Sequence, residues 1–268
     1  MAFPIGVLQG RLSPSENGRF QFFPSDWKAE FVLAKQMGFS SIEWLLDFVG
    51  YEKNPLLSVR GREEIARVAK GTGVSANSIC ADYYMKYRFD KADKERSLAI
   101  LGQLIEAAKK TNGKLILVPL LEVNAPRNED EKRAIIIGIS SLLPRAREVG
   151  VRIGFETEMP RKKLSLFLDA FSSDAVGVYY DIGNATSYGF DCASDIRFFG
   201  KRIFGIHAKD KKKGSTQSIT LGTGDADYRG CFKALHEIGF SGTIIMQAWR
   251  GENYLKDAEK QLLFLKSL

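Results

Sequence analysis

The sequence predicts an α/β fold, a closed (β/α)8 barrel, because short apolar runs alternate with amphipathic segments along the whole chain. The 268 residues accommodate eight such units, and barrels of this kind commonly reach this length as one domain, so we expect a single domain over residues 1–268. Polar residues end most of the apolar runs, whereas an open doubly wound sheet would concentrate them near one switch point. A closed barrel with its active site at the carboxyl ends of the strands is therefore favoured.

Eight apolar runs have the length of a buried strand, and seven segments between them have a helical pattern. The predicted strands are 4–8, 41–46, 75–81, 114–119, 152–156, 176–181, 203–207 and 243–247, and the predicted helices are 25–37, 62–70, 94–110, 129–148, 162–171, 228–237 and 254–266. Several helices stop at a glycine, such as Gly38, Gly150 and Gly239, which can adopt the left-handed conformation that closes a helix. Segment 214–224 is expected to be a functional loop, followed by a helix that Asp225 or Asp227 caps.

Charge and composition favour a small-molecule partner. The net charge of +7 is compatible with an anionic partner, yet the signs are mixed along the chain. The one dense basic run, 209–213, is typical of a solvated loop, and aromatic and basic residues do not interleave as they do where bases stack. We therefore expect no nucleic-acid partner, and leave assembly into a homo-oligomer open.

The cysteines and the apolar pattern predict a cytoplasmic protein. Cys80, Cys192 and Cys231 are odd in number and lack a Cys-x-x-Cys pairing, which argues against a disulfide framework and against a cysteine zinc site. The amino-terminal segment has no pattern of an export signal, and no window approaches the roughly 20 apolar residues that cross a bilayer. We expect a reducing compartment and no membrane association.

Three residues that end predicted strands suggest a shared site. Glu156, Asp181 and His207 occupy the same strand phase and would converge on the barrel axis. Two carboxylates and a neutral imidazole suit one divalent cation, Mn²⁺, Mg²⁺ or Zn²⁺, and Gln247 takes the equivalent position on the last strand. Taken singly, the aspartate is typical of a cap and the histidine of a hydrogen-bonded core residue. Together, without a cation, they would oppose like charges in a poorly solvated place.

Other polar residues are expected to face the mouth of the barrel and to contact substrate. They are Gln9, Arg11, Glu43, Asp82, Glu122, Asn184, Lys209 and Arg250. Arg11 and Arg250 would be neighbours and could clamp a phosphate or carboxylate, with a strand-end salt bridge as the alternative. Lys209 lies on the same face as His207 and could stabilise a developing enolate. Trp249 and Tyr83 are expected either to form an apolar wall or to pack in the core.

The order of four motifs resembles a known family. Gly-Phe-Glu156-Thr-Glu158, Tyr-Asp181-Ile-Gly-Asn184, Ile-His207-Ala-Lys-Asp and Leu-Gly-Thr-Gly-Asp-Ala-Asp-Tyr follow one another as in the xylose isomerase-like sugar phosphate isomerase/epimerase superfamily, whose fold is the TIM barrel. The opening segment 6–12 is also similar to the first strand of that family, and the resemblance covers nearly the whole chain. It implies that Glu156, Asp181 and His207 hold one divalent cation, which polarises the oxygens of a keto sugar while an acidic side chain moves a proton on the adjacent carbon.

The chain departs from the family pattern at Gln247, where a glutamate is usual. An amide accepts no proton near neutral pH, so a symmetric two-carboxylate epimerase is less favoured than an isomerase that uses one base. Glu156 is the expected catalytic base, assisted by Lys209, and Glu158 is the alternative ligand or base.

The resemblance thus implies a metal-dependent sugar or sugar-phosphate isomerase or epimerase that transfers a proton alpha to a carbonyl. Three alternatives stay open: a metal-dependent dehydratase or lyase on a keto-polyol, a catalytically inactive binding protein, and an apurinic-site endonuclease. Apurinic-site nucleases of this superfamily need several histidines, and this chain has two.

Overall fold

Eight parallel strands close into a barrel, which confirms the predicted fold class. The computed structural model describes residues 2–16 and 18–268. The barrel strands are β1 (Ile5–Leu8), β2 (Ser41–Leu45), β3 (Ser75–Cys80), β4 (Leu115–Leu120), β5 (Arg152–Thr157), β6 (Val176–Asp181), β7 (Ile203–Ala208) and β10 (Ile244–Met246). Because β1 pairs with both β2 and β10, the ring has no open edge.

Ten α-helices connect or follow the strands. They are α1 (Trp27–Met37), α2 (Val59–Thr72), α3 (Lys94–Thr111), α4 (Glu129–Ser140), α5 (Leu143–Glu148), α6 (Arg161–Asp169), α7 (Ile182–Ser187), α8 (Cys192–Phe199), α9 (Tyr228–Glu237) and α10 (Tyr254–Lys266). None of these helices of the described chain combines the length and the apolarity needed to cross a membrane.

The structure corrects the predicted helices in two places. The single helix expected over 129–148 is two helices, and Pro144 lies at the start of the second, where a proline breaks no intrahelical hydrogen bond. The helices α7 and α8, both between β6 and β7, were not predicted. They are short, and α7 contains Gly183 and Asn184, which are poor helix formers.

The loop after β7 carries a small hairpin, a feature that the sequence did not predict. Strands β8 (Asp210–Lys211) and β9 (Ser218–Ile219) pair antiparallel. Asp210 organises the glycine-rich turn that follows, because its carboxylate accepts hydrogen bonds from the backbone N–H groups of Gly222 (2.8 Å) and Gly224 (2.9 Å). A Cβ atom on Gly224 would collide with that carboxylate. Asp227 then caps α9 by accepting from the N–H of Gly230 at 2.9 Å, as one of the two predicted caps.

The segment after β1 is fixed by a buried carboxylate of α1. Glu30 accepts hydrogen bonds from the N–H groups of Gly10 (3.0 Å) and Leu12 (2.9 Å) and from the hydroxyl of Ser13 (2.9 Å). Burial raises the pKa of Glu30 to about 7. Gly10 has a φ of +82°, and a Cβ there would lie 2.7 Å from a backbone oxygen of the same segment. These contacts fold the described residues of the segment after β1, 10–16 and 18–23, back over the barrel mouth.

The lower part of the barrel is filled, so the site above it has a floor. Buried side chains from seven of the barrel strands pack there, among them Leu8, Leu45, Leu117, Tyr179 and Ile245. The ring of Tyr179 occupies the space that a side chain on Gly205 would need, since a Cβ there would lie 2.5 Å from the ring. The layers of side chains leave no pore, as is usual for this fold.

Candidate metal and substrate site

Three ligand-type side chains meet at the carboxyl ends of adjacent strands. Glu156, Asp181 and His207 lie on β5, β6 and β7, and Asp181 is in register with His207. Each can place one ligand atom within 4.8 Å of the others. All three are buried, with exposed fractions of 6%, 4% and 0%. The same-phase argument from the sequence therefore agrees with where the structure places them.

His207 is oriented by a carboxylate beneath the site. Its Nε2 lies 2.6 Å from Oε2 of Glu43, and the other oxygen of Glu43 accepts a hydrogen bond of 2.6 Å from the hydroxyl of Tyr179. Burial alone would lower the pKa of His207, but the carboxylate of Glu43, together with those of Glu156 and Asp181, raises that pKa. With Nε2 donating to Glu43, Nδ1 is presented toward Asp181, 3.8 Å from its Oδ2. A carboxylate that aligns a ligand histidine in this way is common in metal sites.

Asn184 fixes both carboxylates of the cluster. Its backbone N–H donates to Asp181 Oδ1 at 2.7 Å, and its side-chain amide donates to Glu156 Oε1 at 2.6 Å. Asp181 is thus the cap of α7, as its sequence context allowed, and one of its oxygens stays available. Gly183 is required between them, because a Cβ there would lie 2.6 Å from the carbonyl oxygen of Lys209. The Asp-x-Gly-Asn motif therefore has a direct geometric reason.

The charges of the cluster act on each other at close range. Lys209 is buried, and its Nζ lies 3.1 Å from Asp181 Oδ2. Burial opposes the ionisation of Asp181, yet Lys209 and His207 lower its pKa. The pKa of Glu156 is raised above its ordinary value, first by burial and then by the charge of Asp181. The two carboxylates therefore differ in basicity, with Glu156 the better proton acceptor.

Buried polar atoms without partners show that the residues fit a cation. Within the described residues, Nδ1 of His207 and Oε1 of Gln247 are buried side-chain atoms that make no hydrogen bond, while Oδ2 of Asp181 has the Lys209 ammonium 3.1 Å away. Buried polar atoms without a partner are rare in folded proteins. Gln247 donates its amide N–H to Oε1 of Gln21 at 2.8 Å, which fixes the amide and leaves its oxygen free. Carboxylate, imidazole and amide donors of this kind could hold one divalent cation.

A cavity of about 500 Å³ opens above this cluster, a size suited to a small molecule. Glu156 and Gln247 reach it from the cluster, and the apolar part of its wall includes Trp249. Its lining also includes Phe20, Gln21, Cys80, Asp82, Glu122, Asn184, Lys209, Lys211 and Ser218. Asp82, Asn184 and Lys209 thus face the mouth, as the sequence predicted; their roles stay predictions.

The two arginines do not form the predicted phosphate clamp. Arg11 donates to the carbonyl of Phe20 at 2.7 Å and lies over its ring, and Arg250 donates to carbonyls of the same segment, those of Gly10, Ser13 (3.1 Å) and Arg19 (3.0 Å). Neither guanidinium is among the described groups that line the cavity. Burial, together with Arg250, lowers the pKa of Arg11 to about 9. Both arginines hold the segment after β1 in place instead of a ligand.

Two further predictions of substrate contact are wrong. Glu43 is fully buried below the cluster, with both oxygens used by His207 and Tyr179. Gln9 is also fully buried, and its side-chain oxygen accepts from the N–H of Leu45 at 2.9 Å. The side of a strand on which a residue lies carries no information on its depth in the barrel, so the sequence could not separate these two residues from those at the mouth. Their contacts give them a positioning role beneath the site.

Several site residues carried no usable signal in the sequence. Phe20 and Gln21 reach the cavity only because the segment after β1 folds back. Lys211 has the same strand phase as Lys209, and that spacing could have identified it. Tyr83, a predicted wall residue, packs instead against Tyr51 and Tyr87 in the core, which is the alternative that the sequence left open. Glu158, the alternative ligand, is not part of the three-residue cluster.

The fold and the site together define a TIM barrel with a buried group of carboxylates and an imidazole at its strand ends that could hold a metal ion. The model of the xylose isomerase-like TIM barrel family matches residues 31–268. The chain therefore belongs to that family, which confirms the resemblance read from the motifs.

Relatives of known name agree with this assignment. The chain is 23% identical over 256 residues to L-ribulose-5-phosphate 3-epimerase UlaE of Salmonella heidelberg (strain SL476), covering 92% of this chain and 87% of that protein. Its fold is similar to that of the 3-keto-D-glucoside 4-epimerase YcjR from E. coli, with a TM-score of 0.79, 17% identity and coverage of 99% and 100%. It is also similar to the IOLI protein crystallised with a zinc atom, with a TM-score of 0.76, 18% identity and coverage of 99% and 98%. Family and relatives together support sugar isomerase or epimerase activity.

The role of Arg250 can be tested by stability. We predict that Arg250→Met lowers the free energy of unfolding by about 2 kcal/mol, because it removes charge-assisted hydrogen bonds to several backbone carbonyls. Urea unfolding would measure this change, with Arg229→Met, an exposed residue of α9, as a control expected to stay within about 0.5 kcal/mol. If Arg250→Met were as stable as the wild type and were no longer inhibited by inorganic phosphate, the prediction that Arg11 and Arg250 bind a phosphate would be correct after all.

Proposed function

We propose that this protein is a divalent-metal-dependent isomerase or epimerase of a ketose or ketose phosphate. The observation that carries the proposal is that buried atoms of His207 and Gln247 without partners lie with the carboxylates of Glu156 and Asp181 beside a cavity of small-molecule size. The relative UlaE supports a keto-pentose phosphate as the substrate class. Glu156, Asp181 and His207 would hold the cation, with the amide oxygen of Gln247 as the fourth donor.

The chain supplies a base and a positive charge around the reacting carbon. The cation, when bound, withdraws electron density from the carbonyl group and makes the neighbouring C–H more acidic. Glu156 takes that proton, since its raised pKa makes it the more basic carboxylate of the pair and Asn184 holds only one of its oxygens. Lys209 places an ammonium group at the same wall of the cavity and stabilises the negative charge that develops on oxygen.

A lysine of the hairpin supports a phosphorylated substrate. Lys211 lines the cavity, is half-buried, and forms no ion pair with any acidic side chain of residues 2–16 and 18–268. Burial, and then the charge of Lys209, lower the pKa of Lys211. The hydroxyl-bearing Ser218 lines the same part of the cavity. The ammonium groups of Lys209 and Lys211 repel one another, and that of Lys211 has no acidic partner. A phosphate dianion between them would therefore be stabilised.

The reaction itself is tested by hydrogen exchange. With Mn²⁺ present, we predict that L-ribulose 5-phosphate or L-ribulose loses the proton on the carbon next to its carbonyl in D₂O, as followed by NMR. Glu156→Gln should slow this exchange by about 100-fold to 10,000-fold. Product analysis then distinguishes an isomer or epimer from the dehydrated product of a lyase. A protein that binds the cation yet exchanges no proton in a panel of ketoses and ketose phosphates would refute the proposal.

The cation site is tested without reference to activity. We predict that Glu43→Gln weakens divalent-cation affinity by about 10-fold to 100-fold, because His207 loses the carboxylate that aligns it. Tyr179→Phe, which frees the other oxygen of Glu43, is the matched control and should have a smaller effect. Titration against a chromophoric chelator measures both, and equal affinity in all three proteins would remove Glu43 from the metal site.

The phosphate group is tested at the hairpin. We predict that Lys211→Met raises KM for a ketose phosphate about 10-fold to 100-fold, the loss expected for a charged hydrogen bond, and leaves turnover of the unphosphorylated ketose unchanged. Lys212→Met is the control, because Lys212 is exposed and its Nζ pairs with Asp225 at 3.0 Å. Equal effects on phosphorylated and unphosphorylated sugars would argue against a phosphate at Lys211.

A further inference from the structure

We propose that Asp82 is the second acid–base group of the reaction and supplies the proton-transfer function that Gln247 cannot. This inference rests on the proposed function and makes it specific: the enzyme inverts a carbon centre next to the carbonyl, as an epimerase, although it lacks the usual second glutamate. Inversion removes a proton on one face of the carbon and returns one on the other, so it needs a second group. An amide cannot fill that position near neutral pH.

The order of strands places Asp82 across the mouth from the metal ligands. Glu156, Asp181, His207 and Gln247 belong to β5, β6, β7 and β10, which are four consecutive strands of the ring. Asp82 follows β3, and four steps along the ring in either direction separate β3 from β7. A sugar held against the ligand wall therefore lies between that wall and Asp82.

The side chain of Asp82 faces the same cavity as Glu156. It lies two residues beyond Cys80, whose side chain belongs to the interior cluster of the barrel, and both residues line the cavity. Glu156 on β5 and Asp82 after β3 are separated by one strand, so they approach the cavity from different directions.

The carboxylate of Asp82 is free to act. Within residues 2–16 and 18–268 it makes no side-chain hydrogen bond or ion pair, whereas the nearby Asp47 is fully engaged by Arg19 at 2.6 and 2.8 Å. Asp82 is half-buried. Burial, together with the charges of Asp47 and Glu156, raises the pKa of Asp82 to about 7. It therefore holds its proton in a large part of the molecules at neutral pH, as an acid that donates to carbon must.

The other titratable groups of the cavity fit this role less well. Burial raises the pKa of Cys80 well above its ordinary value, so its thiol keeps its proton and does not act as the base that the reverse reaction needs. Lys209 is paired with Asp181. Glu122 is exposed at the rim, and Lys211 faces the hairpin side of the cavity. Asp82 is the remaining group that combines partial burial, freedom from partners and a position opposite the ligands.

The proton transfers balance without a further reactant. The Glu156 carboxylate removes the proton, and the C–H electron pair becomes part of an enediolate. The carboxylic acid of Asp82 then donates its proton to the opposite face of the same carbon, a C–H bond forms, and the carbonyl is restored. Glu156 ends protonated and Asp82 ionised, and exchange of one proton with solvent returns both to their starting states. The reverse reaction exchanges the two roles.

Isotope exchange separates inversion from simple proton removal. We predict that Asp82→Asn lowers the rate of epimer formation at least 100-fold in D₂O, while deuterium still enters the recovered substrate within about 3-fold of the wild-type rate, since Glu156 remains. Cation affinity, measured with a chelator, should be unchanged, which also shows that the variant is folded. The double variant Asp82→Asn/Gln247→Glu should regain epimer formation, because it restores a second carboxylate on the ligand wall.

Two results would overturn the inference, and they differ from a failure of the proposed function. Epimer formation at the wild-type rate in Asp82→Asn removes Asp82 from the reaction. Parallel loss of exchange and of epimer formation, with intact cation affinity, makes Asp82 a substrate-positioning residue instead. If the wild-type protein exchanges no proton at all, the proposed function itself fails, and the comparison of variants is not needed to show it.

Discussion

The structure depends on the burial of more negative than positive charge at one end of the barrel. Glu43, Glu156 and Asp181 are all buried there, and, with His207 a neutral imidazole as a metal ligand must be, the described positive group that contacts them is the ammonium of Lys209. Buried charges that lack compensation destabilise a fold by several kcal/mol. Hydrogen bonds from Asn184 and Tyr179 reduce this cost but carry no net charge. The proposed divalent cation would restore neutrality, and its binding would then be coupled to folding stability through the same atoms.

The shape of the site is controlled by residues that never reach the cavity. Glu30 binds the start of the segment after β1, and Arg11 and Arg250 bind carbonyls along it, so that Phe20 and Gln21 are placed at the mouth. Gln21 then fixes the amide of Gln247. A chain of polar contacts thus runs from α1 to a candidate ligand. Because this support is made of buried charged groups, each of them is costly to remove although none touches the substrate.

The features that depend on local pattern could be predicted from the sequence. The depth of a side chain in the barrel and the contacts between distant segments could not. Alternation of strands and helices gave the barrel, and strand phase gave Glu156, Asp181 and His207, because both are properties of neighbouring residues. Phase cannot distinguish the mouth from the layer below it, so Glu43 and Gln9 were placed one layer too high. The folding back of the segment after β1 is determined by the distant residues Glu30 and Arg250 and by Arg11 within the segment itself. No local pattern encodes such a contact, and the phosphate clamp was therefore inferred from proximity alone. The helices α7 and α8 were missed for a different reason: the site requires Gly183 and Asn184 at the start of α7, against their helical propensity.

Compared with the glutamate that is usual in the family, Gln247 alters the net charge of the proposed ligand set and removes a group that could transfer a proton. In the proposed cation site, Glu156 and Asp181 would be the anionic donors and His207 and Gln247 the neutral ones, so that the donors would balance the two charges of the cation. A glutamate at position 247 would make the sum negative. A cation with fewer anionic donors withdraws more electron density from a carbonyl, so the amide strengthens the acidification of the neighbouring C–H. The same substitution transfers the second proton step to a group outside the ligand set. A carboxyl that does not bind the cation keeps a higher pKa, which favours donation of a proton to carbon near neutral pH. In the proposed reaction, Gln247 would thus serve the cation and Asp82 would serve the proton transfer, two roles that a single glutamate at position 247 would otherwise combine.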